Sequence, residues 1–253
     1  MRARIIRKVL KRPAADTPRV CIGIDASLVG HAIAVIDAAG AVDWVNGWTD
    51  KEATQKRHPE HLSFYKADEA SSDHCRLQRI AFLFAWTVAV INDWRESSEV
   101  TVAIEGYAFS GKGVRASDLH ELGGLIKQWL LKEAIPFRIY GPSEVKKAWT
   151  GAGNADKALM QMACYKRTDL DFTQIAQGGD GLADAVLIGL LLHSELALKD
   201  GSKPKVPKSV YAALKKTTKA EPIPLYQRPF IVGEYKNRSP TMGSYAGPDP
   251  LDN

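Results

Sequence analysis

Val20-Cys21-Ile22-Gly23-Ile24-Asp25 is a nearly continuous apolar run that ends in an acid. A run of this kind, with no polar alternation, predicts a central strand buried on both faces. Working outward, a turn over Ser27–Gly30 leads to a second strand, His31–Asp37 (HAIAVID). Ala38-Ala39-Gly40 makes another turn, and Ala41–Trp48 reads as a third strand. Connections this short join antiparallel neighbours, because a parallel crossover needs about a dozen residues or more.

Further along, Val100–Glu105 (VTVAIE) repeats the pattern of an apolar strand closed by an acid, and Phe137–Tyr140 is a short strand. Residues 49–72 are polar and read as irregular, and Tyr107–Arg115 reads as a Gly- and Lys-bearing loop. Asp73–Arg95 is long enough for a helix of about six turns. In Ser117–Glu133 the spacing of Leu119, Leu122, Ile126 and Leu130 is helical. Pro142 opens a helical stretch, Asn154–Arg167 is another helix, and Gly179–Lys199 is a final, strongly apolar one. The order predicts an α/β protein with a mixed sheet, an antiparallel three-strand meander plus parallel strands, flanked by helices. The expected organisation is a basic arm over 1–18, a core over 19–199, and an extension over 200–253 that is first basic and then disordered.

The chain has 253 residues, 45% hydrophobic and 25% charged, which excludes collagen-like, coiled-coil and wholly disordered classes. Its net charge of +5 is unevenly spread. Residues 1–19 carry +6, residues 199–238 carry +7 and the last fifteen carry −2, so residues 20–198 carry −6. An acidic core between basic arms suits a polyanion gripped by the arms, with carboxylates gathered for metal. The plainer alternative is lysine runs that only solubilise the ends. Cys21, Cys75 and Cys164 are odd in number, far apart and without a C-x-x-C pair, which argues against a disulfide framework or zinc site and for a reducing cytosol. No apolar segment follows the basic residues 1–12, so no secretory signal is expected. The run Ile80–Ile91 is too short to span a bilayer and reads as a buried helix.

Four acids stand out. Asp25 and Glu105 each end an apolar strand, and neighbouring strands would bring both to one edge of the sheet. Asp180 and Asp184 are four apart at the start of a helix and so share a face. Gly178-Gly179 before them leaves room for close approach of backbone or ligand. Gathered carboxylates repel and raise each other's pKa, and a cation removes that penalty. Hard oxygen ligands suit Mg²⁺ or Mn²⁺. Two such ions about 4 Å apart can activate water and stabilise the leaving oxygen of a phosphodiester. Taken singly, each acid has an ordinary role: Asp25 in a turn, Asp180 and Asp184 at a helix start, Glu105 against an arginine. The combination is what points to chemistry.

Four stretches resemble the RuvC-type Holliday junction resolvases of the RNase H-like superfamily: GIDASLVGHAIAVID (23–37), AIEGYAFSGKG (103–113), GPSEVKKAWTGAGNADK (141–157) and DGLADAVLIG (180–189). The first also resembles actin-like sugar kinases, which need a second duplicated domain that this core is too short to supply. The third carries the resolvase arrangement P-x-x-V-K followed by G-x-G-x-A-x-K. The resemblance implies an RNase H-like fold and a divalent-metal-dependent endonuclease that cuts branched DNA, most of all four-way junctions. It implies a crossover junction endodeoxyribonuclease working by two-metal hydrolysis with Mg²⁺ or Mn²⁺, as a homodimer, in the cytoplasm of a bacterial or phage-infected cell. A non-cleaving junction-binding or architectural protein and a broader flap or fork nuclease are the alternatives, since fold alone does not set substrate.

Carried over by position, Asp25, Glu105 and Asp184 match three metal-binding acids of the family. The family usually places Asp or His three residues before the last of these, where this chain has Gly181. Asp180, four before, resembles the mitochondrial branch and is assigned as the fourth ligand. Lys146, Lys147 and Lys157 flank Gly151 and Gly153, where backbone N–H groups can approach phosphate and lysines supply charge. In the resembled family such lysines bind DNA backbone and support catalysis, and Lys157 is the closest match. Tyr107 and Phe109 share a loop with Lys112 and Arg115, and could stack on unpaired bases for about 1–3 kcal/mol each. The family's aromatic wedge falls at Ala108, so that role shifts to Tyr107 or Phe109, with ordinary packing as the alternative. Gly123-Gly124 within a helix costs nearly ~1 kcal/mol each relative to Ala, which close contact with another helix would offset. The resemblance puts that helix at a dimer interface, and a two-fold dimer suits a four-way junction. His31 and His193 read as structural, and Trp86 and Trp94 as core.

Overall fold

The computed structural model describes residues 17–65, 73–106, 114–218 and 222–233, with side chains omitted over 114–120. In chain order the elements are β1 (Arg19–Asp25), β2 (Ala32–Ile36), β3 (Val42–Thr49), α1 (Glu52–Arg57), β4 (Leu62–Phe64), α2 (Asp73–Arg95) and β5 (Glu99–Glu105). They continue with α3 (Val114–Lys132), β6 (Phe137–Tyr140), α4 (Pro142–Thr150), α5 (Lys157–Thr168), α6 (Gly179–Lys199) and α7 (Lys208–Leu214). One six-stranded sheet has the order β4-β3-β2-β1-β5-β6. β1, β2 and β3 pair antiparallel. β5 pairs parallel to β1, and β6 parallel to β5. This is the mixed sheet that the meander and the later strands predict, in the RNase H-like form that the resemblance implies.

The lack of alternation in β1 has a direct cause: both faces are covered. Val20, Ile22 and Ile24 pack with Ile33, Val102 and Ile104 beneath α2 and α3. The opposite face carries smaller groups, Cys21, Ala32, Ala34 and Ala103, beneath α6. That small-residue face lets α6 sit directly on the strand. A Cβ at Gly23 would lie 2.1 Å from the Ala185 carbonyl oxygen and 2.4 Å from the Gly189 nitrogen. α6 is long and apolar enough to cross a membrane by length and composition, but 72% of its apolar window is buried inside this fold. It is the helix through which the second core is assembled.

Several elements differ from the sequence reading. Residues 49–72 are not wholly irregular: α1 lies there, and β4 extends the sheet parallel to β3 with Gly47 opposite Leu62. Leu62 is the one fully buried residue of that three-residue strand, too short a signal for periodicity. α3 begins at Val114, so Arg115 is helical rather than in a loop. α5 begins at Lys157, because the Asp156 carboxylate accepts from the Leu159 N–H at 2.8 Å and caps the helix.

Packed structure also continues past Lys199. Val210 and Leu214 of α7 are fully buried, and the Ser209 hydroxyl donates to the Ala148 carbonyl at 2.6 Å. Ile231 pairs with Phe137 through two backbone hydrogen bonds of 3.0 Å, closing part of the β6 edge. Beneath it, Arg138 and Glu195 form a buried ion pair, to which the Tyr140 hydroxyl donates at 2.7 Å. Arg138 also donates to the carbonyls of Arg228 and Pro229, each at 3.0 Å, and lies 4.6 Å over the Phe230 ring. A boundary at 199 therefore separates α7 and residues 222–233 from the body they complete. Residues 1–16, and with them almost all of the expected basic arm, lie outside the described residues, as do the last fifteen.

Candidate active site

Register brings the first two acids together. Ile24 is paired with Ile104 across parallel strands, so the next residues, Asp25 and Glu105, leave adjacent strands at the same sheet edge. Both are half-buried. α6 starts at that edge and places Asp180 and Asp184 one turn apart on it. Its approach is very close. A Cβ at Gly181 would lie 2.1 Å from the Gly30 carbonyl oxygen and 3.1 Å from Asp25 Oδ2. Any larger residue at 181 would collide with the turn after β1.

Electrostatics show that the four acids feel one another. The Asp25 carboxyl is held well above the usual range, first by burial and then by the charges of Glu105, Asp184 and Asp180, against which Lys157 acts. Glu105 is pushed up to about 7 by burial and then by Asp184, with Lys146 opposing. Asp184 is pushed up to about 6 by burial and then by Asp180, with Lys146 and Lys157 opposing. Lys157 opens α5 and pairs with Asp180. That hydrogen bond is the main reason its ammonium is held above the ordinary lysine value. Lys146 and Lys157 thus act on the cluster from two different helices.

The donor set is chemically suited to a hard divalent cation: four carboxylates, no sulfur, and no histidine among the groups that shift them. Asp184 Oδ1 is buried and has no hydrogen-bond partner. Among the described residues, no three His, Cys, Asp or Glu side chains already form a group that could hold an ion. The cluster is therefore close enough for mutual charge effects while its side chains are not drawn onto a common point.

Other expected site residues are placed differently. Lys147, adjacent to Lys146, is exposed and lines a groove between α4 and α7. Gly151 does not offer its N–H to phosphate, since that group donates to the Lys147 carbonyl at 3.0 Å and ends α4 at φ +83°. Gly179 serves packing, for a Cβ there would lie 2.5 Å from the Phe172 carbonyl oxygen. Tyr107, Phe109 and Lys112 lie outside the described residues, as does the side chain of Arg115. Gly123 is buried within α3. Trp94 is buried, and Trp86 packs edge-on against His31 and Trp48.

His31 is fully buried behind Asp25, with Nε2 2.8 Å from Thr87 Oγ1. Burial pushes its imidazole down to about 3, so it stays neutral and structural, which an isolated histidine on an apolar strand predicts. His193 is 3.2 Å from the Ala38 carbonyl, away from the acids.

Comparison with known proteins agrees with this arrangement. The family model "Crossover junction endodeoxyribonuclease RuvC" matches residues 69–191, a span that holds Glu105, Lys146, Lys157, Asp180 and Asp184 but not Asp25. The crossover junction endodeoxyribonuclease RuvC of Brachyspira hyodysenteriae is 33% identical over 113 residues, 45% of this chain and 66% of that protein. The chain thus matches just under two thirds of that curated relative's length. Two solved structures are similar to this chain. One is Thermus thermophilus RuvC, at 21% identity and TM-score 0.48, covering 72% of this chain and 97% of that one. The other, T. thermophilus RuvC in complex with Holliday junction substrate, has 19% identity and TM-score 0.50, covering 73% and 97%. The sheet order, the acids at one edge and these matches agree: the chain is similar to the RuvC family over residues 69–191 and shares the fold of the RuvC–junction complex structure.

Proposed function

We propose that this chain is a divalent-metal-dependent endonuclease of branched DNA, acting in recombination and repair, with the four-way junction as its substrate. The observation that carries this reading is the mutual elevation of Asp25, Glu105 and Asp184, with Asp180 contributing, at one sheet edge facing two lysines. Four clustered carboxylates serve no packing purpose and destabilise the fold unless a cation neutralises them.

Asp25, Glu105, Asp180 and Asp184 would hold two Mg²⁺ ions, with Mn²⁺ as a substitute. Bound ions of this class supply an activated water and charge stabilisation for in-line phosphodiester hydrolysis. The chain's own residues do the rest. Asp184 would offer its unpartnered Oδ1 to such an ion. Lys157, exposed at its tip and tethered to Asp180, meets the phosphate charge, and Lys146 does so from α4. Tyr107, Phe109, Lys112 and Arg115 follow Glu105 in sequence and are assigned to the displaced strand. A homodimer would present two such sites to strands of like polarity. An enzyme of this kind works in the cytoplasm of a bacterial or phage-infected cell.

The test is a cleavage panel of four-way junction, flap, fork and plain duplex, each with and without Mg²⁺. Mg²⁺-dependent nicking of the junction above the others supports the reading. Preference for flap or fork moves the substrate, and binding without cleavage makes the chain an architectural protein. Asp25→Asn abolishes nicking while junction binding persists; continued cutting by this variant removes the acid cluster from the mechanism.

A further inference from the structure

We infer that α7 and Lys147 form a second contact surface for DNA, a basic track that holds a duplex arm of the substrate beside the site; this rests on the nuclease reading above. Its α7 side lies beyond the stretch matched by the family model, which ends at residue 191, while Lys147 lies within it.

Adjacent residues on a helix point about 100° apart, since 3.6 residues make a turn. On α4 this separates two lysines. Lys146 acts on Glu105 and Asp184, while Lys147 lines a groove of about 430 Å³ together with Ser143, Ser209 and Lys216. α4 therefore connects the acids on one side with α7 on the other.

Charge on the α7 side is one-signed. Residues 200–218 contain Lys203, Lys205, Lys208, Lys215 and Lys216 and a single acid, Asp200. All five lysines are exposed. Asp200 is engaged by Arg19 at 2.6 Å. The one acid lining the groove, Glu144, accepts from the Gly141 N–H at 3.0 Å and is held at the start of α4. Among the described residues, none of the five lysines pairs with an acid.

This charge is held rigidly. α7 buries Val210 and Leu214 completely, and Ser209 ties it to α4. Lysines on a flexible tail would only solubilise it. Lys208 opens this docked helix, and Lys215 and Lys216 follow its end with their N–H groups on the Tyr211 and Ala213 carbonyls, so these three repel each other at a held spacing that a polyanion relieves. Duplex DNA fits because it carries one charge per about 1.7 Å of axis, and because Lys146 and Lys147 are consecutive residues of α4, one acting on the acids and the other lining the groove. Phosphate contacts of this kind position the substrate without reading its sequence.

The test uses the full chain with EDTA, so that binding is read without cleavage, on four-way junctions with short and with long arms across a salt series. The variant is Lys147→Gln/Lys208→Gln/Lys215→Gln/Lys216→Gln. Its affinity for the long-armed junction falls by about tenfold or more, and its salt slope flattens by roughly 3, since each lost phosphate contact removes about 0.9. Long- and short-armed affinities then converge, and the corresponding four Lys→Arg changes restore the difference. Thermal melting checks the fold, and Lys215→Gln/Lys216→Gln alone replaces any variant that melts early, with about half the slope change. An unchanged long-arm affinity and slope, in a chain that still nicks junctions, overturns the track and leaves the nuclease reading intact; an acidic protein partner on this face gives that result. A wild-type chain that binds no branched DNA overturns both.

Discussion

Gly181 stands against Asp25 with no space for a side chain: a Cβ there would lie 3.1 Å from Asp25 Oδ2 and 2.1 Å from the Gly30 carbonyl oxygen. The contact fixes the start of α6 on the turn after β1. It also explains why the acid of this turn is Asp180, one residue earlier, whose carboxylate points to Lys157 instead.

Gly181→Ala is expected to lower stability by about 1–3 kcal/mol, the usual range for overpacking, and Gly181→Asp by more. Because the clash falls on backbone beside the acids, nicking should drop in both. Thermal unfolding and a junction-nicking assay measure the two effects. A Gly181→Asp chain that is stable and active would show that α6 does not sit this close.

Asp25→Asn removes a buried carboxyl that three other acids hold above its normal range. The metal-free variant should therefore melt at a higher temperature than the metal-free wild type, while losing cleavage by several orders of magnitude. Calorimetry without divalent cation provides the comparison. Gain of stability on loss of function is the usual signature of a strained site.

The pH dependence follows from the same charges. Glu105 titrates at about 7 in the fold against an ordinary value of 4.5, and Asp184 at about 6 against 3.8. Below their unfolded values both groups are protonated in either state and cost nothing. As pH rises, the unfolded chain ionises first, so stability is lost progressively from about pH 4 to about pH 7 and then levels off. Metal-free melting temperatures between pH 4 and 8 should show this fall. Added Mg²⁺ should oppose it most strongly at the alkaline end, where the acids are ionised. A flat profile would mean that the acids do not share a site.

Lys157→Ala and Lys146→Ala each remove a positive charge that opposes the acids. Each should lower single-turnover nicking by about 10²–10³-fold, the scale of a lost charge-stabilising group, with junction affinity changed far less. Stability should fall slightly, because the remaining carboxylates repel more strongly. Equal losses in affinity and cleavage would make these lysines simple tethers.

Arg138→Met leaves Glu195 buried without its partner, at an expected cost of about 3–5 kcal/mol. It also removes the donors to the Arg228 and Pro229 carbonyls. Limited proteolysis should then cut within 222–233 at a rate well above wild type. Unchanged protection would show that the Ile231–Phe137 pairing alone holds this segment.

The sequence by itself determined five of the six strands and the identity of the acids. Apolar runs closed by Asp25 and Glu105 are local patterns, and an acidic pair opening an apolar helix is equally local. Their order carried the family resemblance. Convergence was beyond local reach. The parallel register of Ile24 with Ile104, and the small-residue face that lets α6 touch β1, are what bring Asp180 and Asp184 to those strand ends. The same limit explains β4, with a single buried residue in its short span, and α7, whose lysine-rich sequence hides the two buried positions that dock it. It explains Lys146 and Lys147 as well: neighbours in the chain, they face the acids and the α7 groove respectively, because a helix turns between them and only the packed fold decides what stands on each side.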